Sequence, residues 1–272
     1  MKVFYRVLLL ILVAVFLFSG WQFLALSKEY EKSSESYSGL EQYVSMQNTP
    51  KQPDSSRETQ TDPGAAAPTD TSAPTETTSP VDDTLWPVVD FEALAAINPD
   101  IVGWIYVEDT KINYPVVQRD NEFYLNHLFD GSYNEGGCIF LDANCLPDFS
   151  GEHSILYGHH MRDGSMFAGI RKFRDQGYYD AHPTALLVTP EGNYRVEFFS
   201  GYVASTLESA WKMSFSAEDY GAWISEIASR SLFAAEVEPT TADRILTLST
   251  CSGAGYSNRW VVHARLKMIE VI

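Results

Sequence analysis

Hydrophobic residues are distributed along this chain in three ways. Residues 7–26 are almost wholly apolar, interrupted only by Ser19, Gly20 and Gln22. At 1.5 Å rise, a helix of about 20 residues spans the ~30 Å hydrocarbon layer of a bilayer, so the run predicts one membrane helix. Ala25 and Ser27 are small enough for a cleavage site, yet the apolar run exceeds the usual signal core of about 7–15 residues, which favours a retained anchor. From 47 to 80 the pattern reverses, with no Val, Ile, Leu, Met or aromatic residue. A segment with so little to bury cannot offset its ordering entropy and is expected to be a disordered tether. Apolar and aromatic residues return at Leu85. The expected organisation is a cytoplasmic N-terminus and anchor (1–28), a juxtamembrane segment and Pro/Thr/Ser-rich linker (29–84), and one compact domain (85–272).

Within the domain the patterning is mainly that of strands. Residues 111–118 alternate Ile112, Tyr114 and Val116, and the runs 137–141, 153–157, 185–189, 194–204 and 244–250 are short and rich in β-branched or aromatic residues. Residues 259–269 put Trp260, Val262, Ala264, Leu266 and Met268 on one face and Arg259, His263, Arg265 and Lys267 on the other, which predicts a half-buried strand. Two helices interrupt this pattern. Asp90 caps a short one over 91–98 that Pro99 ends, and Ser216 with Asp219 opens a second whose Tyr220, Trp223, Ile224 and Ile227 share a face.

Charge narrows the possible partners. The formal charge of −17 argues against nucleic acid or an anionic lipid surface as the main partner, because phosphate binding needs a basic face that displaces counterions. Lys2 and Arg6 precede the apolar run, whereas Lys28 and Lys32 after it are mixed with Glu29, Glu31 and Glu35. The positive-inside bias therefore keeps the N-terminus cytoplasmic and the domain outside. The cysteines, Cys138, Cys145 and Cys251, are too few for a disulfide scaffold and fit no metal-binding spacing. Cys138 and Cys145 are read as buried small apolar side chains in preference to a disulfide pair.

Cys251 stands apart. It ends the run Leu246-Thr-Leu-Ser-Thr-Cys251, where a strand gives way to a loop holding Gly253 and Gly255. If the following strand folds back as a hairpin, Arg259 returns to Cys251, and a guanidinium beside a thiol both favours the thiolate and holds a developing oxyanion. An unperturbed thiol with pKa ~8.5 is only about 3% thiolate at neutral pH, so a base is needed. The best candidate is His159 in His153-Ser-Ile-Leu-Tyr-Gly158-His159-His160-Met161, again at a strand end followed by a loop. No HExxH or comparable spacing supports a metal there, and the reading requires neither metal nor cofactor. His263 is read as structural, and His127 and His182 lack supporting partners in the sequence.

These motifs carry a family resemblance. Thr247-Leu-Ser-Thr-Cys251, Asn258-Arg259-Trp-Val-Val-His-Ala-Arg265 and Tyr157-Gly-His159-His-Met-Arg-Asp-Gly-Ser-Met-Phe167 resemble the sortases, class B most closely, and Ile97-Asn-Pro-Asp-Ile-Val-Gly-Trp104 and Ile112-Asn-Tyr-Pro-Val-Val117 are similar to the N-terminal part of that class. The resemblance implies a closed or nearly closed eight-stranded β-barrel with N-terminal helices and a long helix before the Cys strand. It also implies a membrane-anchored cysteine transpeptidase that anchors surface proteins to a Gram-positive cell wall. Such an enzyme cleaves a secreted protein's C-terminal sorting signal after Thr and holds the product as a thioester on Cys251. It then passes the product to an amine of a peptidoglycan precursor or a pilin. In that reading His159 is the acid/base, Arg259 the oxyanion-side cation, and Ser249 and Thr250 line the substrate groove. A hydrolytic cysteine peptidase or amidase with the same dyad, and a non-catalytic wall-binding module on a stalk, are the alternatives.

Overall fold

The computed structural model describes residues 2–48, 85–216, 218–253 and 257–269. Helix α1 runs Lys2–Leu40, well past the apolar span. Its N-terminal part is long and apolar enough to cross a membrane and is uncovered by the other described residues. Its last turns are not, because Ser33, Tyr37 and Leu40 are buried against the domain. The Tyr37 hydroxyl donates to Gly137 O and its ring meets Tyr114 edge-on, with centroids 5.1 Å apart. Strand β1 (Val44–Asn48) follows and pairs antiparallel with β2 (Leu85–Val89). Of the stretch expected to be juxtamembrane segment and linker, 29–48 thus joins the folded unit, while 49–84 lies outside the described residues.

Helix α2 (Phe91–Ile97) starts where Asp90 accepts from Ala93 N and leads into β3 (Ile101–Tyr106). The further strands are β4 (Asn113–Val117), β5 (Ile139–Leu141), β6 (His153–Tyr157), β7 (Thr184–Thr189), β8 (Gly192–Ser205), β9 (Arg244–Cys251) and β10 (Asn258–Ile269). They close into an eight-stranded barrel in the order β10-β8-β7-β3-β4-β5-β6-β9. Barrel closure leaves no unpaired edge. Trp104, Phe149, Phe167 and Phe198 fill its core. Between β6 and β7 lie a 3-10 segment, Phe167–Arg174, and α3 (Gln176–Ala181).

Helix α4 (Asp219–Ser229) is the amphipathic helix expected before the Cys strand. Its Tyr220, Trp223, Ile224 and Ile227 cover Phe199, Tyr202, Ile245 and Val261 on the outside of the barrel. This corrects the half-buried reading of β10: Val261 and His263, on opposite sides of Val262 in sequence, are fully buried because α4 shields the face expected to meet water. Met268, expected to be inside, is exposed beyond the helix's reach.

A buried polar chain runs under α4. The His153 Nδ1 lies 2.7 Å from Lys212 O, which can only accept, so Nδ1 carries the proton and Nε2 of the neutral ring accepts from Thr247 Oγ1 at 2.7 Å. Thr247 Oγ1 in turn receives His263 Nδ1 at 2.7 Å, and His263 Nε2 receives Tyr202 OH at 3.1 Å. The order Tyr202, His263, Thr247, His153, Lys212 is satisfied throughout with both rings neutral. Burial holds both below the usual imidazole range, His153 at about 4.

Candidate active site

Strand register brings the candidate residues together. Strands β6 and β9 run parallel with Tyr157 opposite Ser249; two residues on, Cys251 ends β9 and His159 stands just past the end of β6. Strand β10 returns antiparallel with Arg259 opposite Cys251. All three side chains line one groove of about 510 Å³ at that end of the barrel. Cys251 is the exposed thiol, whereas Cys138 and Cys145 are free and buried, their pKa values pushed up by burial to about 12 and about 11. Cys251 is therefore the thiol that an incoming molecule can reach.

The histidine is held from several sides. Its Nε2 lies 2.6 Å from Leu125 O and must donate there, which leaves Nδ1 as the acceptor of the neutral ring. Its own carbonyl accepts from Phe167 N at 2.9 Å, and His160 pairs with Met166 across the loop. Gly158 makes this loop possible: a Cβ there would run into Ile139 and come within 2.8 Å of the Phe167 ring. Thr250 Oγ1 donates to Gly158 O at 2.7 Å, so one expected groove residue clamps the histidine strand end. The other, Ser249, lines the groove with a buried hydroxyl that has no hydrogen-bond partner among the described residues. Arg259 Nη1 donates to Asn258 O at 3.2 Å, fixing the root of its fork.

The groove walls come largely from segments without periodic signal. Leu125, Phe140, Trp211 and Met213 make its apolar surface, and Asn121, Asp142 and Tyr157 its polar end. The buried Asp142 carboxylate accepts from Tyr157 OH at 3.0 Å, Asn121 Nδ2 at 3.1 Å and Asn144 Nδ2 at 3.0 Å. Burial first, and the Asp142 charge second, keep the Tyr157 phenol protonated far beyond its usual range. Trp211 stacks over Tyr157 and donates its indole N–H to Ser205 O at 2.8 Å. The buried chain ending on Lys212 O pins the residue between Trp211 and Met213, so it also sets this wall. Tyr157 lay inside a legible motif, but Asp142, Trp211 and Met213 carried no signal beyond their residue type.

The other histidines lie elsewhere. His127 stacks on Phe123, and His182 bonds Tyr178 O at 2.9 Å. His160 accepts from Arg171 Nη1 at 3.0 Å; burial first, and that guanidinium second, lower its pKa.

Comparison with known proteins agrees with this architecture. The family model described as the sortase domain matches residues 105–267. Sortase B of Listeria monocytogenes is 33% identical over 249 residues, covering 90% of this chain and 88% of that protein. Sortase B of Staphylococcus aureus is 37% identical over 167 residues, covering 60% and 68%. The S. aureus sortase B crystal structure superposes with a TM-score of 0.63 at 34% identity, over 66% of this chain and 87% of that one. That of Clostridium perfringens sortase B gives 0.61 at 37%, over 65% and 99%. The closed barrel, the Cys strand paired with the Arg strand and these matches lead to one conclusion: the chain belongs to the sortase family, with class B members as its relatives.

Proposed function

We propose that this chain is a class B-like sortase transpeptidase that cleaves a sorting signal after Thr and transfers the acyl part to an amine. The observation that carries the reading is the arrangement in which Cys251 on β9 lies opposite Arg259 on β10 and beside the end of β6, with His159 two residues past that end and all three lining one groove. The thiol proton passes to His159, and the Cys251 thiolate adds to the threonyl carbonyl carbon, whose oxygen takes the negative charge beside Arg259. Protonated His159 gives its proton to the departing amine as the C–N bond breaks, which leaves a thioester on Cys251. An incoming amine attacks that thioester, loses a proton to His159 and expels the thiolate. Ser249 meets the substrate backbone or side chain with its unpartnered hydroxyl, while Thr250 acts through Gly158.

Two structures of a relative support the substrate classes: S. aureus sortase B has been solved as a substrate complex, and sortase B has been solved in complex with triglycine. By analogy the donor here is a secreted protein with a C-terminal sorting signal, and the acceptor is an amine of a peptidoglycan precursor or a pilin. With Lys2 and Arg6 on the cytoplasmic side, the single span puts the domain outside the cell. The test incubates the full chain in detergent with sorting-signal peptides, with and without triglycine. Transfer product that rises with triglycine at the expense of free acid supports transpeptidation; free acid alone at saturating triglycine contradicts it.

A further inference from the structure

A second cavity, of about 850 Å³, lies on the far side of the His159–His160 loop and shares no residue with the catalytic groove. Lys111, Arg162, Arg171, Lys172 and Arg174 line it together with His160. The chain has 19 basic against 36 acidic residues, so a concentration of cations in one concavity runs against its overall charge. Among the described residues none of these five cations is in a salt bridge, although Arg119, Lys212, Arg230, Arg265 and Lys267 elsewhere each have a carboxylate partner. Three acids, Asp109, Asp163 and Asp175, share the cavity with the five cations, and the latter two are engaged otherwise. Asp163 accepts from Ser165 N and Oγ, and Asp175 accepts from Tyr178 N at the start of α3. Lys111 Nζ donates to a backbone carbonyl, Asp163 O, and Arg171 to the neutral His160 ring. Lys111 and Arg171 are thus oriented by neutral acceptors rather than by ion pairs.

Like charges held in one concavity repel one another, and an oxyanion that accepts several N–H bonds at once relieves that cost. Guanidinium forks match the oxygen geometry of phosphates, and the lysines add point charges. The volume exceeds that of a lone ion and suits a small molecule with its headgroup seated among the cations. We propose that this cavity is a binding site for a phosphate- or diphosphate-bearing molecule, beside the catalytic loop. Arg171 joins the two sites, since its guanidinium lies 3.5 Å from the position a Cβ would take on Gly253, two residues past Cys251. The assignment does not depend on the transpeptidase reading, because it concerns binding alone.

Inorganic pyrophosphate titrated into the full chain in phosphatidylcholine nanodiscs should bind saturably by calorimetry. The double variant Lys172→Gln/Arg174→Gln should weaken binding at least tenfold, whereas Arg119→Gln/Lys212→Gln, which also removes two charges, should leave it within about twofold. Absence of saturable binding, or equal loss in both variants, would overturn the proposal. Footprinting of the wild-type protein provides a readout that no folding defect can disturb: pyrophosphate should shield Lys111 and Lys172 from acetylation. Shielding in phosphatidylglycerol nanodiscs before any pyrophosphate is added identifies a lipid headgroup as the source. Shielding only after pyrophosphate identifies a soluble diphosphate, and shielding by neither counts against the site.

Discussion

At the residue scale the site divides its labour among groups that should fail in different ways. Cys251→Ala removes the nucleophile, and turnover should vanish. His159→Ala keeps the thiol but removes the proton donor to a poor amine leaving group, a loss of about 10²–10⁴-fold in kcat/KM. Arg259→Ala should cost a similar factor, and Arg259→Lys should recover only part of it, since the ammonium keeps charge without the planar fork. His160→Ala and His263→Ala should be much milder in kcat/KM once folding is checked; a dead His160→Ala beside an active His159→Ala would reverse the assignment of the base. The two hydroxyls before Cys251 should also separate. Ser249→Ala should act on peptide KM with little change in stability. Thr250→Val leaves the Gly158 carbonyl unpaired and lets the His159 strand end shift, so kcat should fall and stability drop by about 1–3 kcal/mol. Steady-state kinetics and urea unfolding on both variants test this split.

At the element scale the buried chain under α4 predicts a pH dependence. His153 and His263 are neutral when folded, with pKa values depressed by burial below the ordinary value that the unfolded chain shows. Below about pH 6.5 the unfolded state therefore binds protons that the native state refuses. Their contribution to stability is complete above that value and is lost as pH falls towards 4, by up to about 1.4 kcal/mol per pH unit for each ring that stays neutral. The unfolding midpoint should decline between pH 6.5 and 5, and a His153→Gln/His263→Gln variant should show a shallower decline; equal slopes would contradict this account. The sequence announced these elements unevenly. Alternation marked β4 and β10, β-branched and aromatic richness marked β5 to β9, and the face of α4 was readable from Tyr220, Trp223, Ile224 and Ile227. Strand β3 escaped because Ile101–Tyr106 is continuously apolar around Gly103, with no alternation to read. Strand β2 escaped because Pro87 argues against a sheet interior, a restriction that lifts in a two-stranded ribbon. Burial of His263 was invisible because it depends on α4 packing across the barrel rather than on anything in β10.

At the scale of the whole molecule helix α1 is also a piece of the domain. Tyr37 and Leu40 are buried, and β1 is the partner of β2. Removing residues 1–27 should leave a soluble, fully stable protein. Removing 1–80 should also strip Tyr37, Leu40 and β1, at about 2 kcal/mol for each large side chain exposed. The longer truncation should thus unfold at clearly lower urea, with Cys138 opened to alkylation once Tyr37 is gone. Identical midpoints for the two truncations would show that the last turns of α1 contribute nothing. Topology is tested separately: protease added to wall-stripped cells should release the domain by cutting within 49–84, and protection would reverse the orientation.

The central claim is that Cys251, at the meeting of β6, β9 and β10, forms a covalent acyl bond with a cleaved sorting signal. Intact-protein mass spectrometry on the full chain, quenched in acid seconds after mixing with peptide, measures this directly. The account predicts a mass increase equal to the N-terminal peptide fragment, mapped to Cys251, discharged by hydroxylamine and absent in Cys251→Ala. Peptide cleavage with no adduct on Cys251, or an adduct that survives Cys251→Ala, would contradict it.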